Sequence, residues 1–417
     1  MKKFFYPAIR LAVVGLLLVL LQGCLKDKMT HTYTLLRPVY QTKEAVKANI
    51  KSNPPKDIQS PGKIFIYGNY IFLNEIDKGV HVIDNSDPSH PVAKAFIDIP
   101  GNVDIAVKGT TLYADMYGDL ITVDIADPLH AGLLNDLPNV FPERIYANGF
   151  VADNGRLIVD WLKKDTTVEE ELQQNVPVNY LLFAAADVKF FSGPTALSAP
   201  GLSGSMARFS LVNNCLYTVD HHTLKTFSLA AAAVPVLAST VNAGWDIETI
   251  YPLKDKLFLG SMGGMFVFDI SNPLNPALQS NFVHARACDP VVADDHYAYI
   301  TLRAGTTCGA SKNELQIVDI NNVLSPSLYK TVAMINPHGL SKDGDVLFVC
   351  DGTAGLKVYD ARNPAALQLV KQVTDGETYD VIAWNKNALV VTKDGLWQYD
   401  YSHLNNIQLR SKINVSR

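Results

Sequence analysis

One phrase recurs along this chain and sets what it can become. Gly79-Val80-His81-Val82-Ile83-Asp84 precedes Asp87-Pro88, and Asp119-Leu120-Ile121-Thr122-Val123-Asp124 precedes Asp127-Pro128. Asp84 and Asp124 stand 40 residues apart. Self-similarity at that period marks a repeat architecture, in which neighbouring copies share one continuous core. It overrides the two or three domains that 417 residues would otherwise suggest.

The phrase returns at Gly264–Asp269, Glu314–Asp319, 355–360 and Gly395–Asp400. A weaker copy sits at 224–228, and the 104 residues from 124 to 228 leave room for one more, best placed at 178–184. The count expected is therefore eight, with six clear copies. Each copy divides into short runs rich in Val, Ile, Leu, Phe and Tyr, bounded by Gly, Asn, Asp and Pro, which read as strands. In one copy these are 103–107, 111–115 and 119–124, with a weaker fourth near Leu133. The Asp ending each third strand suits a turn in which its side chain bonds the backbone, and the following Pro stops ladder pairing. Four short strands per copy give an all-β fold: a single β-propeller of eight four-stranded blades, with seven as the alternative. The blades should occupy 62–417.

These residues resemble a known family. The phrases at 80–84 with Asp87-Pro88, at 315–319 and at Leu356–Asp360 look like the LVIVD repeat of lipoproteins from Gram-negative bacteria. The resemblance implies a β-propeller and an envelope location. It implies no activity.

Residues 1–23 read as a lipoprotein signal peptide. Lys2, Lys3 and Arg10 precede an apolar run at 11–21 that is short for a membrane span. The junction Leu21-Gln22-Gly23-Cys24 resembles a bacterial lipobox, which implies a lipid on Cys24, burying about 0.8 kcal/mol per methylene in a membrane. Residues 24–61 then form a tether, with a short strand at 32–36. The expected location is the outer membrane, on its periplasmic or cell-surface face. Export permits disulfides. Cys288 and Cys308 fall on two connections of one blade that share a rim, so they are expected to pair. Cys215 and Cys350 fall in second strands of different blades and should stay reduced.

Propeller topology sorts the loops. Connections between strands b and c, and between strand d and the next strand a, share one rim. The connections a–b and c–d share the other. The long polar stretches 162–177 and 303–313 read as b–c insertions, and 131–142 and 192–204 as d–a insertions. All four fall on the first rim. Function concentrates on elaborated loops held by a rigid scaffold, so this rim is the expected working face.

Strand a lines the central channel. Counting back from the start of strand b finds an ionisable residue each time: Lys63, Asp104, Arg208, Asp289, His338 and Asp380, with Glu143 and Glu248 nearest in two irregular copies. Around the mouth stand Tyr117, Trp161, His221, His222 and Trp245. Aromatic rings beside polar groups suit sugar or peptide contacts. The acids outnumber the bases in this ring, which would favour a cation. Ca²⁺ accepts many carboxylate oxygens, but diverging strands hold carboxylates apart, so no cofactor is expected.

No GxSxG elbow, HExxH or P-loop is present, and the net charge of -5 gives no basic footprint for nucleic acid. The reading is a monomeric, lipid-anchored envelope protein that binds a partner protein or glycan. The alternative is a hydrolase or lyase of extracellular polysaccharide, built on two channel carboxylates such as Asp104 and Asp289.

Overall fold

A computed structural model describes residues 28–142, 155–171, 206–284, 290–305 and 312–416. The chain divides into two compact units. In the smaller, Lys28–Thr42 pairs with Arg156–Glu171 as a two-stranded ribbon, the described part of the unit being 28–40 with 160–171. Thr34 donates to Asp165 at 2.6 Å across the ribbon.

The larger unit is the propeller. Its seven sheets each carry four strands in chain order, at 61–98, 105–137, 209–242, 247–283, 291–333, 340–373 and 378–414. The count is seven, not eight. Strand a of blade two, Ile105–Lys108, packs directly on strand a of blade three, Phe209–Val212. Leu112 of blade two and Phe209, Leu216 and Phe227 of blade three lie in one core cluster. No blade fits between them. The spacing from 124 to 228 holds an inserted segment, part of it spent on the ribbon, and the copy placed at 178–184 lies outside the described residues.

The repeated phrase forms strand c of each blade it marks. Its terminal Asp caps the turn as expected: Asp84, Asp124, Asp269, Asp319, Asp360 and Asp400 each accept a backbone N–H two residues on, at 2.7–3.0 Å. The seven c–d connections are 85–91, 125–131, 229–235, 270–276, 320–326, 361–367 and 401–407, seven residues each. Strand d carries a register shift in every blade. A bulge on each exposed outer strand twists it away from edge-to-edge pairing.

The ring closes without exchanging a strand, since each blade takes its four from one continuous stretch. Apolar packing unites the first and last blades: Ile64, Leu73 and Ile83 share a cluster with Ile382, Leu389 and Val391. Ser411 Oγ donates to the Pro88 carbonyl at 2.7 Å, and Ser416 N–H to the Ile58 carbonyl at 2.8 Å.

The described part of the stretch expected as a tether carries regular structure. Its strand runs Lys28–Thr42, well beyond 32–36. Residues 41–159 already belong to the propeller unit. A short helix, Lys43–Ala48, starts at the Thr42 cap, and its Val46 is buried. Ser52–Asn53 adds a fifth strand outside blade one, and Lys51 bridges to Gly132 of blade two. Among the described residues no helix is long and apolar enough to cross a membrane.

Candidate functional site

The rims differ in the way loop sorting anticipates. On the c–d side every connection has the same short length. On the other side, 303–313 joins strands b and c of blade five, and 138–208 joins strand d of blade two to strand a of blade three. The second of these absorbs three stretches read separately from sequence. Residues 132–137 are strand d itself, 162–177 belongs to no b–c turn, and 192–204 lies outside the described residues.

Seven blades require seven channel positions. Lys63, Asp104, Arg208, Glu248, His338 and Asp380 each stand in or beside strand a of a different blade. Asp289 precedes strand a of the remaining blade and lies outside the described residues. So does Glu143, which loses its position along with the eighth blade.

Most of this ring is internal structure. Lys63 and Asp104 are fully buried and meet at 2.7 Å. Asp104 also accepts the N–H of Arg208 at 2.6 Å and that of Ile105 at 2.8 Å. Burial pushes the Lys63 ammonium down to about 8 against the pull of Asp104, and pushes the Asp104 carboxyl up. A buried pair with its remaining lone pairs satisfied fixes geometry more than it adds stability. Asp115 continues the network. Its Oδ1 accepts from the Val103 and Asp104 N–H groups, and its Oδ2 lies 3.7 Å from the Arg208 guanidinium. Asp380 is buried, and its carboxylate lies against Gly339, where any side chain would strike it. Asp104 therefore offers no carboxylate to an open cleft, which a glycosidase pair needs.

His338 sits on the opposite arc of the channel. Arg303 Nη1 approaches its Nδ1 at 2.7 Å and its Nε2 at 3.1 Å. Asn336 Nδ2 is 3.3 Å from Nε2, and the Tyr379 ring lies 5.2 Å away between centroids. Burial, then Arg303, holds the imidazole down to about 3, so it is neutral in the working pH range. Burial also lowers Arg303, and the charge of Glu248 opposes this. The rule that counted back to strand a missed Arg303, because it heads the b–c connection. Its signal is a lone base directly after the apolar strand Tyr297–Leu302.

The aromatic candidates part company. Tyr117 turns inward: its hydroxyl donates to the Ile158 carbonyl and its ring covers Gly101. Trp161 lies in the ribbon strand, not in a blade loop. His222 and Trp245 do come together on the rim, ring centroids 5.0 Å apart at 75°. Among the described residues, no three His, Cys, Asp or Glu side chains converge as a metal set. Cys215 and Cys350 are buried and free, in second strands as expected. Cys24, Cys288 and Cys308 lie outside the described residues.

The repeat unit has a known counterpart. The LVIVD repeat model matches at 61–98, 101–135, 258–283 and 286–333. The chain carries LVIVD repeats. The LVIVD matches fall on blades one, two, four and five, while blades three, six and seven keep the same strand order. Two solved structures resemble the whole. A protein from Lactobacillus plantarum is 14% identical with a TM-score of 0.53, over 85% of this chain and 95% of that one. The periplasmic gluconolactonase of Pseudomonas aeruginosa is 11% identical with a TM-score of 0.51, over 85% of this chain and 96% of that one. At such identity the likeness extends to the fold alone. No curated protein matches the chain at a significant level.

Proposed function

We propose that this LVIVD-repeat propeller is a binding protein of the cell envelope, held to the outer membrane by a lipid on Cys24. It engages a partner protein or glycan through the rim that carries the b–c and d–a connections. The observation behind this is the asymmetry of the rims: one keeps seven short connections of equal length, and the other carries both long ones. The buried pairing of Lys63 with Asp104 supports binding over hydrolysis, because it removes a carboxylate that catalysis would need.

Two sets of variants test this on envelope components captured from detergent-solubilised membranes. His222→Ala with Lys393→Glu alters the proposed face, and Asp87→Ala with Leu274→Ala alters the other. The first pair should lose a component that the second retains. Loss from the second pair alone would place the binding face on the c–d rim. For the anchor, Cys24→Ser should abolish fatty-acid labelling and partition into detergent; labelling that persists would rule the lipid site out.

A further inference from the structure

In a repeat protein, features that recur from blade to blade belong to the scaffold, and a feature found in one blade points to a site. Exposed leucines illustrate the first kind. Leu237, Leu278, Leu328, Leu369 and Leu409 occupy the same position at the start of strand d in five blades. Trp245 is of the second kind. It is 76% exposed, the most exposed of the large apolar side chains among the described residues, whereas Trp161, the other Trp in a described d–a connection, lies in the ribbon strand and is partly buried.

Its exposure is built in. Gly244 and Asp246, on either side of it, hold positive φ angles of 119° and 54°. Gly244 lies on the Phe266 ring, where a Cβ would come within 2.8 Å of it. The backbone on both sides of Trp245 is tied to the neighbouring turn: Ala243 N–H bonds the His222 carbonyl at 2.8 Å and Ile247 N–H the His221 carbonyl at 3.1 Å. Asp220 fixes that turn in place, accepting from the N–H of His222 at 2.9 Å and that of Thr223 at 2.7 Å. The backbone thus accepts strained geometry to hold an indole out in water.

We propose that Trp245 and His222 form a carbohydrate subsite that receives one pyranose ring. This rests on the proposed binding function of the rim and specifies its ligand. The two rings meet edge to face, nearly at a right angle, and leave most of the indole in water. The apolar C–H face of a pyranose covers the indole, and its hydroxyls meet ring nitrogen. His221 stands beside His222, and the charges of Arg208, Asp220 and Asp246 all act on it. Hydrogen-bonding groups around an exposed ring suit a hydroxylated, wet ligand. A protein hot spot would instead need a dry apolar surround.

The test uses the full chain, an array of immobilised neutral and acidic oligosaccharides, and titration of the best array hit in solution. Binding should be seen on the array. Trp245→Ala should weaken it at least tenfold, Trp245→Phe should restore part of the loss, and His222→Ala should weaken it several-fold. Circular dichroism confirms that each variant folds. Full binding by folded Trp245→Ala would overturn the subsite, as would an array on which the parent protein binds nothing. In the second case, envelope capture that stays sensitive to rim variants would leave the rim as binding face and exclude only the sugar.

Discussion

Asn85 and Gln398 exchange hydrogen bonds across the seam of the ring. Asn85 Nδ2 donates to Gln398 Oε1 at 3.2 Å, and Gln398 Nε2 donates back to Asn85 Oδ1 at 2.7 Å. The residues lie in the first and last blades, and Asn387 Nδ2 adds a bond to Gln398 Oε1 at 2.6 Å. Gln398→Ala should cost about 1–3 kcal/mol, the usual cost of leaving buried polar groups unmet. Asn85→Ala should cost less once Gln398 is gone, and a double-mutant cycle in denaturant reads this coupling. Strictly additive effects would show that the pair does not close the ring.

Removing 405–417 should be more damaging. It deletes the outer strand Gln408–Asn414 together with the Ser411 bond to the first blade and the Ser416 bond to Ile58 just before it. It also exposes a strand edge open to aggregation. A lower melting temperature and concentration-dependent light scattering are expected.

Lys63 and Asp104 should behave as one unit. Lys63→Met strands a buried carboxylate and should cost about 3–5 kcal/mol. Adding Asp104→Asn removes that charge and keeps an oxygen for the neighbouring N–H groups, so stability should partly return. Equilibrium unfolding of the two single variants and the double variant checks this.

His338 makes stability depend on acid. Its folded pKa is depressed to about 3 by burial and Arg303, against about 6.5 in an unfolded chain. The unfolded state therefore binds the extra proton between those values. The contribution is complete above pH 6.5 and falls as pH drops toward 3, by about 1.4 kcal/mol per pH unit at most. His338→Gln should flatten this part of the stability profile, measured by denaturant midpoints across that window. An unchanged slope would mean that His338 is not the group responsible.

Cys288 and Cys308 are expected to be bridged, pinning the b–c connection of blade five beside the channel. Closing a loop of about 20 residues contributes about 3 kcal/mol in the chain-entropy model. Non-reducing peptide mapping should recover the pair joined, with Cys215 and Cys350 as free thiols. Recovery of alkylated Cys288 would contradict the pairing.

The strand pattern and the turn chemistry were legible because each repeats. An Asp closing strand c has the same local task in blade after blade. Blade number was not legible, because an insertion between two blades has the same length as a missing blade plus a loop. The ring position in strand a was found by counting, and Lys63, Asp104, Arg208, His338 and Asp380 stand in or beside strand a of five blades. What they do was hidden. Spacing puts Lys63 and Asp104 at equivalent positions of neighbouring blades, but does not show that they pair in the interior. Arg303 escaped because a loop residue has no period. Trp245 and His222 are 23 residues apart in sequence and meet only because two connections share a rim.

Photo-cross-linking in intact cells tests the choice of face most directly. A photoreactive residue is placed singly at Trp245, Asp77 and Lys393 on one rim, and at Asp87, Leu274 and Asp345 on the other. Adducts with a discrete envelope component should form from the first three positions and be absent from the second three. Adducts confined to Asp87, Leu274 and Asp345 would contradict the account.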